Sequence, residues 1–359
     1  MHPYPAVYGI VMAGGIGKRF WPMSRSNHPK QFIDVLGTGK TMIQATCHRL
    51  EAIIPSERIY VFTGEEFGAL AIRQLPALPP SHILTEPERR NTAPCIAYAA
   101  YKLYAEDPDA VMIVTPSDHS IADPAAYTEI LRTAVQYVSE HDILLTIGIT
   151  PHYPATGFGY IELSEEAKQN GKGPILRFKE KPQLEEAREL VASGRYVWNS
   201  GMFVWKAKTI IQALEKYVPE VALPFAAIEA YGKPGERAMV EKAFLEVPSI
   251  SIDFGVMEKA DNVHVITGEF GWDDVGTWGA LARHSSDISS HSDDTEEDSH
   301  QGVHLIDADE VLVHRSDTSK RVIIAGLHDY LVVDTEDVLL IAPKSDESEL
   351  HDLIDKFAD

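Results

Sequence analysis

The chain has 359 residues, 44% of them hydrophobic and 24% charged, with 32 Lys and Arg set against 54 Asp and Glu for a net charge of −22. That acidic excess excludes broad nucleic-acid binding, which requires basic surface, and gives any local cluster of Lys and Arg more meaning. Cys47 and Cys95 are the only cysteines and lack metal or redox spacing, which excludes a disulfide framework and a zinc site; both read as small apolar helix residues.

The length suits one large domain and a smaller one. No apolar run approaches the roughly 18 residues of a membrane span, and MHPYPAVYG lacks a charged-then-apolar signal pattern, so a cytoplasmic location is expected.

The first element is an apolar strand at 8–12, which feeds a turn, Gly14-Gly15-Ile16-Gly17, followed by Lys18, Arg19 and Lys30. Glycines let backbone N–H groups approach an anion closely, and fixed cations supply the neutralising charge, so this pattern suits phosphate. The plainer alternative is a strand-to-helix turn with exposed basic residues. Two familiar phosphate loops are excluded. A Walker loop needs Gly where Met12 stands and Ser or Thr where Arg19 stands, and the dinucleotide fingerprint needs a small residue in place of Phe20.

Beyond the loop, Thr41 caps a helix to about residue 52, and helices and strands then alternate. Strands are predicted at 58–63, 82–85, 110–115 and 143–149, and helices at 65–74, 92–105 and 124–140. The alternation implies a mostly parallel sheet covered on both faces, with ligands at the carboxyl ends of its strands. From about residue 156 the rhythm changes. Strands at 158–163 and 174–179, separated by a polar excursion, predict a partly antiparallel extension; a helix at 184–193, a strand at 198–205, helices at 208–217, 222–231 and 236–244, and a strand at 262–267 follow. Residues 285–300 are acidic and Ser/Thr-rich and read as a mobile surface loop. The runs VHLID, EVLVHRS, RVIIAGL, YLVVDT and VLLIAP predict a compact β unit, and 347–357 a helix packed on it.

Four stretches following strands carry candidate chemistry. In Thr115-Pro116-Ser117-Asp118-His119, Asp118 is a candidate Mg²⁺ ligand or a helix cap. In Phe178-Lys179-Glu180-Lys181-Pro182, the carboxylate suits two sugar hydroxyls and the lysine a phosphate, although such a run is also common on solvated surface. Asn199-Ser200-Gly201 offers an amide and a hydroxyl for a sugar pocket, or a turn. Asp273 and Asp274 lie between Trp272 and Trp278, and one of the two would complete a metal site.

Together, in order and spacing, these stretches resemble the sugar nucleotidylyltransferases, and within them the mannose-1-phosphate guanylyltransferases. The resemblance covers nearly the whole chain and rests on AGGIGKRFWPMSR with PKQF, EPERRNTAPCIA, PSDH, GFGYIE, EKP, NSGMF, SIDFGVMEK and WDDVGTW. It implies a Rossmann-like α/β fold, that of the nucleotide-diphospho-sugar transferases. The domains would be a catalytic domain at 1–284, the acidic loop at 285–300, and a short left-handed β-helix unit with a terminal helix at 301–359. Homodimer contacts by that unit are implied as well. A chain stopping at Asp359 leaves no room for the isomerase domain of longer relatives, so a monofunctional short form is expected.

The implied reaction joins GTP and mannose 1-phosphate into GDP-mannose and pyrophosphate by direct in-line attack, with Mg²⁺ as cofactor. By resemblance, Ala13, Gly14, Gly15, Gly17, Lys18 and Arg19 hold the triphosphate, with Arg19 on the leaving group, and Lys30 reaches the reacting phosphates. Glu86, Asn91, Thr92, Ala93 and Ser117 belong to the nucleotide site, Gly159, Glu180 and Asn199 to the sugar site, and Lys181 to the sugar phosphate. Asp118 and Asp274 are the implied metal ligands; Asp273 departs from the Ser or Asn expected before the second of them. The rival readings are a sibling enzyme for another sugar 1-phosphate, such as a manno-heptose, or another nucleotide, and a non-catalytic nucleotide-sugar sensor.

Overall fold

A computed structural model describes residues 6–15, 20–282, 288–289, 302–316, 319–344, 350 and 356–357. Its contacts form two units, Met1–Gly14 with Ile43–Trp272, and Gly15–Met42 with Asp273–Asp359. The division does not follow one cut in the chain. The expected boundary at 284, nearly all of the acidic loop at 285–300 and most of the terminal helix lie outside the described residues.

The first unit opens with β1 (Val7–Ala13), α1 (Met42–Glu51), β2 (Ile59–Gly64), α2 (Gly68–Gln74), β3 (Ile83–Glu86), α3 (Thr92–Glu106) and β4 (Val111–Pro116). The two-residue β5 (Ser120–Ile121), α4 (Pro124–Glu140) and β6 (Leu144–Ile149) follow. Next come β7 (Tyr160–Leu163), α5 (Glu165–Asn170), β8 (Lys172–Lys179), α6 (Leu184–Ala192) and β9 (Tyr196–Lys206). The unit finishes with α7 (Ala207–Tyr217), α8 (Pro219–Ala226), α9 (Glu236–Glu246), a π-helical turn (Asp253–Met257) and β10 (Val263–Thr267).

Nine strands make one sheet in the order β3-β2-β1-β4-β9-β6-β10-β8-β7. The pairings make β8 and β9 antiparallel to the rest, so the sheet is mixed but mostly of one sense. Because successive strand side chains face opposite sides, Ile10, Tyr60, Phe62, Met112 and Val114 join one core with α3, α7, α8 and α9. The strands β2, β4 and β6 are apolar and buried almost throughout, as strands covered on both faces must be.

Local chemistry sets several helix ends. Pro124 occupies the first turn of α4, and the Asp123 carboxylate accepts from Ala125 N and Ala126 N, both at 3.0 Å. Two expectations need correction. The polar excursion before β8 is the helix α5, started by Ser164 accepting from Ala167 N and stopped by Gly171 at φ 69°. The helix expected at 222–231 is α8, which starts earlier because Pro219 suits a first helical turn. It also ends earlier, where the Tyr231 hydroxyl donates to Phe225 O at 2.9 Å from outside the helix.

The second unit contains β11 (Trp272–Asp273) in part, α10 (Trp278–Ala282), β12 (Ile288–Ser289), β13 (Val303–Ile306), β14 (Val311–Arg315), β15 (Val322–Ala325), β16 (Tyr330–Asp334) and β17 (Leu339–Pro343). β13 pairs in parallel with β15 and β14 with β16, each residue matched to the one nineteen positions later. The corners repeat with the coil: Asp307 and Gly326 have φ of 49° and 70°, Glu310 and Asp329 of 51° and 61°. Parallel stacking of successive coils forces the same left-handed backbone bend at the same place in each. Phe20, Trp21, Val35 and Met42 from the N-terminal part of this unit share a core with Val275, Trp278, Leu312 and Leu331 from its C-terminal part.

Candidate active site

In the first unit the candidate residues gather at strand ends. β1 delivers Ala13 and Gly14, and β3 delivers Glu86; a Cβ on Gly14 would lie 3.7 Å from Glu86 Oε2. Glu86 is 6% exposed, its Oε1 has no hydrogen-bond partner, and burial pushes its carboxyl up to about 7. Asn91 adopts φ 66° and caps α3 by accepting from Thr92 N at 2.9 Å. Thr92 Oγ1 accepts from Ile252 N, and Ala93 N donates to Ile250 O. Both groups therefore also hold the 250–252 segment against α3.

The loop after β4 carries Ser117 and Asp118. Ser117 N donates to Met12 O at 3.0 Å and its carbonyl accepts from Thr46 Oγ1 at 3.1 Å. Arg49 Nη2 donates to His119 O at 3.1 Å and to Thr46 Oγ1 at 2.8 Å, while Trp272 Nε1 donates to His119 Nδ1 at 3.0 Å. Asp118 is thus bracketed by residues whose backbone is fixed on two sides.

The sugar-site residues form a second cluster. Lys181 bends the chain at φ 45°, and its Nζ donates to Glu180 Oε1 at 2.6 Å. The Glu180 side chain is 7% exposed and its Oε2 is buried with no partner. A Cβ on Gly159 would sit 2.5 Å from that oxygen, so glycine is what leaves room for it. Asn199 N donates to Gly159 O at 2.8 Å, and Asn199 Nδ2 donates to Asp253 Oδ1 at 2.9 Å. The Ser200 hydroxyl, for which a pocket lining and a turn were both open, is turned into the sheet. It donates to Ile147 O at 2.7 Å, because neighbouring residues of β9 face opposite sides.

The second unit holds the other described candidates. Lys30 is 3% exposed, its Nζ donates to Asp274 O at 2.8 Å and it lies 5.5 Å from the centre of the Phe20 ring. Gln31 Nε2 donates to Gly15 O at 2.8 Å. Asp274 Oδ1 accepts from Gly276 N at 3.0 Å and Asp273 Oδ1 from Val275 N at 2.7 Å; Asp273 is 8% exposed, whereas Asp274 is half-buried. Asp273 therefore makes the turn bond that Ser or Asn would make in its place. Gly17, Lys18 and Arg19 lie outside the described residues.

Among the described residues no group of three or more His, Cys, Asp or Glu side chains is placed to hold a metal ion. The carboxylate is a ligand type that suits Mg²⁺, which uses one or two carboxylates together with waters and substrate phosphates; Asp118 carries one in the first unit and Asp274 one in the second.

A nucleotidyl transferase family profile matches residues 8–291. The chain belongs to the nucleotidyl transferase family. It is 36% identical over 356 residues to the xanthan biosynthesis protein XanB of Xanthomonas campestris pv. campestris (strain B100), covering 97% of this chain and 72% of that one. It is 34% identical over 365 residues to the mannose-1-phosphate guanylyltransferase of Escherichia coli (strain K12), covering 98% and 73%. A solved structure from Thermus thermophilus, described as a mannose-1-phosphate geranyltransferase, aligns over 98% of both chains with a TM-score of 0.82 and 30% identity.

In this nucleotidyl transferase, a residue that motif spacing does not mark stands beside the Asp118 loop. Arg49 reads as one more basic residue in the last turn of α1; only the fold shows that it is half-buried and donates to the carbonyl of His119, the residue after Asp118. Arg49→Met is expected to lower kcat roughly a hundredfold, the scale on which a misplaced catalytic group is felt. Steady-state kinetics checked against circular dichroism would test this, and a folded variant with unchanged kcat would count against it.

Proposed function

We propose that this nucleotidyl transferase moves GMP from GTP to α-D-mannose 1-phosphate, giving GDP-mannose and pyrophosphate. The observation that carries the reading is the Glu180-Lys181 pair: a buried carboxylate with an open oxygen against Gly159, beside an ammonium group. A carboxylate accepts sugar hydroxyls and an ammonium meets a phosphate, so the pair matches the two ends of a sugar 1-phosphate. Mannose and guanylate are favoured by the name of the Escherichia coli relative.

In this reading a phosphate oxygen of mannose 1-phosphate attacks the α-phosphorus of GTP in line, and pyrophosphate leaves with its electron pair. Lys181 orients the attacking phosphate, Glu180 and Asn199 fix the sugar, and Gly14, Gly15, Gly17, Lys18 and Arg19 carry the triphosphate. Lys30 lies by the reacting phosphates, and Glu86, Asn91, Thr92, Ala93 and Ser117 shape the nucleotide site. Asp118 and Asp274 would hold Mg²⁺, whose charge offsets repulsion between the two anionic substrates. No protein nucleophile is needed, since positioning and charge neutralisation suffice for direct transfer. The stacked coils from β13 to β16 are read as a short left-handed β-helix that joins two subunits, and the enzyme as cytoplasmic.

Pyrophosphate release with Mg²⁺, assayed across four nucleoside triphosphates and the 1-phosphates of mannose, glucose and N-acetylglucosamine, tests the assignment. GTP with mannose 1-phosphate is the expected pair, and preference for another pair would reject it.

A further inference from the structure

Asp253 lies in the SIDFGVMEK stretch, for which the resemblance implied no role, and its place in the fold singles it out. It opens the π-helical turn, a rare geometry that recurs at functional sites, and its Oδ1 accepts from Asn199 Nδ2 at 2.9 Å. Asn199 Oδ1 is already engaged twice, by Thr146 Oγ1 at 2.9 Å and Gly201 N at 3.2 Å. An amide oxygen has two lone pairs, so only the second N–H of Nδ2 is left for a ligand. A flipped amide would set its oxygen against the Asp253 carboxyl and its N–H groups against the Gly201 N–H, so Asp253 determines which way the amide points.

Glu180 supplies the complementary group. Its Oε1 is held by Lys181 and its Oε2 is buried, unpartnered and next to Gly159. We propose that Asp253 is a positioning residue of the sugar-phosphate subsite, locking the Asn199 amide so that this side chain and Glu180 present one donor and one acceptor to the same sugar. The inference rests on the reading of Glu180 and Asn199 as sugar ligands.

The charges around Asp253 add a pH dependence. Burial and then the Glu180 carboxylate raise its carboxyl to about 7, against its own backbone N–H, Lys181 and Asn199, which lower it. Glu258 also faces this cluster, accepting from Glu180 N at 3.1 Å. Below neutral pH Asp253 is the neutral acid; above it, ionisation places a second negative charge beside Glu180 and opposes an anionic substrate.

The test is the KM for mannose 1-phosphate and for GTP, measured across neutral pH in wild type, Asp253→Asn and Asp253→Ala. In wild type the sugar-phosphate KM is expected to climb as pH rises through neutrality. Asp253→Asn, a neutral isostere, should keep the low-pH value throughout, and Asp253→Ala should raise it roughly tenfold at every pH, with the KM for GTP unmoved in both. The substrate phosphate itself ionises near roughly pH 6 in every assay and cancels in the comparison. An infrared titration of the substrate-free protein should show a protonated-carboxyl band that disappears near neutral pH and is missing in Asp253→Asn. Coincident KM profiles for wild type and Asp253→Asn, or no such band, would overturn the proposal. Failure of the sugar reading looks different: no turnover with any sugar 1-phosphate, while the band and its loss in Asp253→Asn persist.

Discussion

Lys30→Met is expected to lower kcat by roughly 10²–10³-fold, the range of about 2.7–4 kcal/mol seen when a preorganised transition-state donor is lost. Its surroundings explain why a single ammonium can matter so much. Lys30 is 3% exposed, lies by the Phe20 ring and donates to the carbonyl of Asp274. A cation held this way is paid for during folding and needs no reorganisation when charge develops on a phosphate. The same bond ties it to the turn bearing the proposed metal ligand, so the Mg²⁺ concentration for half-maximal rate should rise in the variant. Met keeps the length and apolar stem, which separates loss of charge from loss of packing. If only the KM for GTP changed, Lys30 would be a ground-state binding group instead.

Asp274→Asn is expected to remove most turnover, while Asp273→Asn leaves kcat within about threefold of wild type, because Asn and Asp serve such turns comparably. The two adjacent carboxylates are chemically identical but differently placed. Asp273 is buried and bonds Val275 N within its own turn, whereas Asp274 is half-buried. Loss of a carboxylate ligand to a phosphate-bound cation forfeits several kcal/mol of charge stabilisation, more than added Mg²⁺ recovers. Asp118→Asn should behave like Asp274→Asn. Near-normal rates at saturating Mg²⁺ in either variant would remove that residue from the metal site, and equal losses at 273 and 274 would contradict the division of labour.

Much of the fold was legible because its signals are local. The apolar runs of β2, β4 and β6 mark strands buried on both faces, and Asp123-Pro124 announces a helix start through bonds within one turn; Ser164 starts α5 in the same way, within what was expected to be a polar excursion. The Glu180-Lys181 pair was visible as a short motif for the same reason, since carboxylate and ammonium keep their chemistry in any fold, whereas the room that Gly159 leaves for Glu180 is a tertiary feature. For Ser200 residue type left a pocket lining and a turn both open, because alternation along β9 decides which way a side chain faces.

By itself, then, the sequence determined the alternating elements and the glycines and the acidic and basic groups available for chemistry. Tertiary structure decided which of them work together. It reversed β8 and β9 within the sheet, grouped Gly15–Met42 with the strands that follow Asp273, and brought Arg49 to the His119 carbonyl and Asp253 to the Asn199 amide. The reason is physical: local signals come from bonds closed within a few residues. Partner choice across two hundred residues depends on which apolar faces can be buried together, and no short stretch of sequence records that.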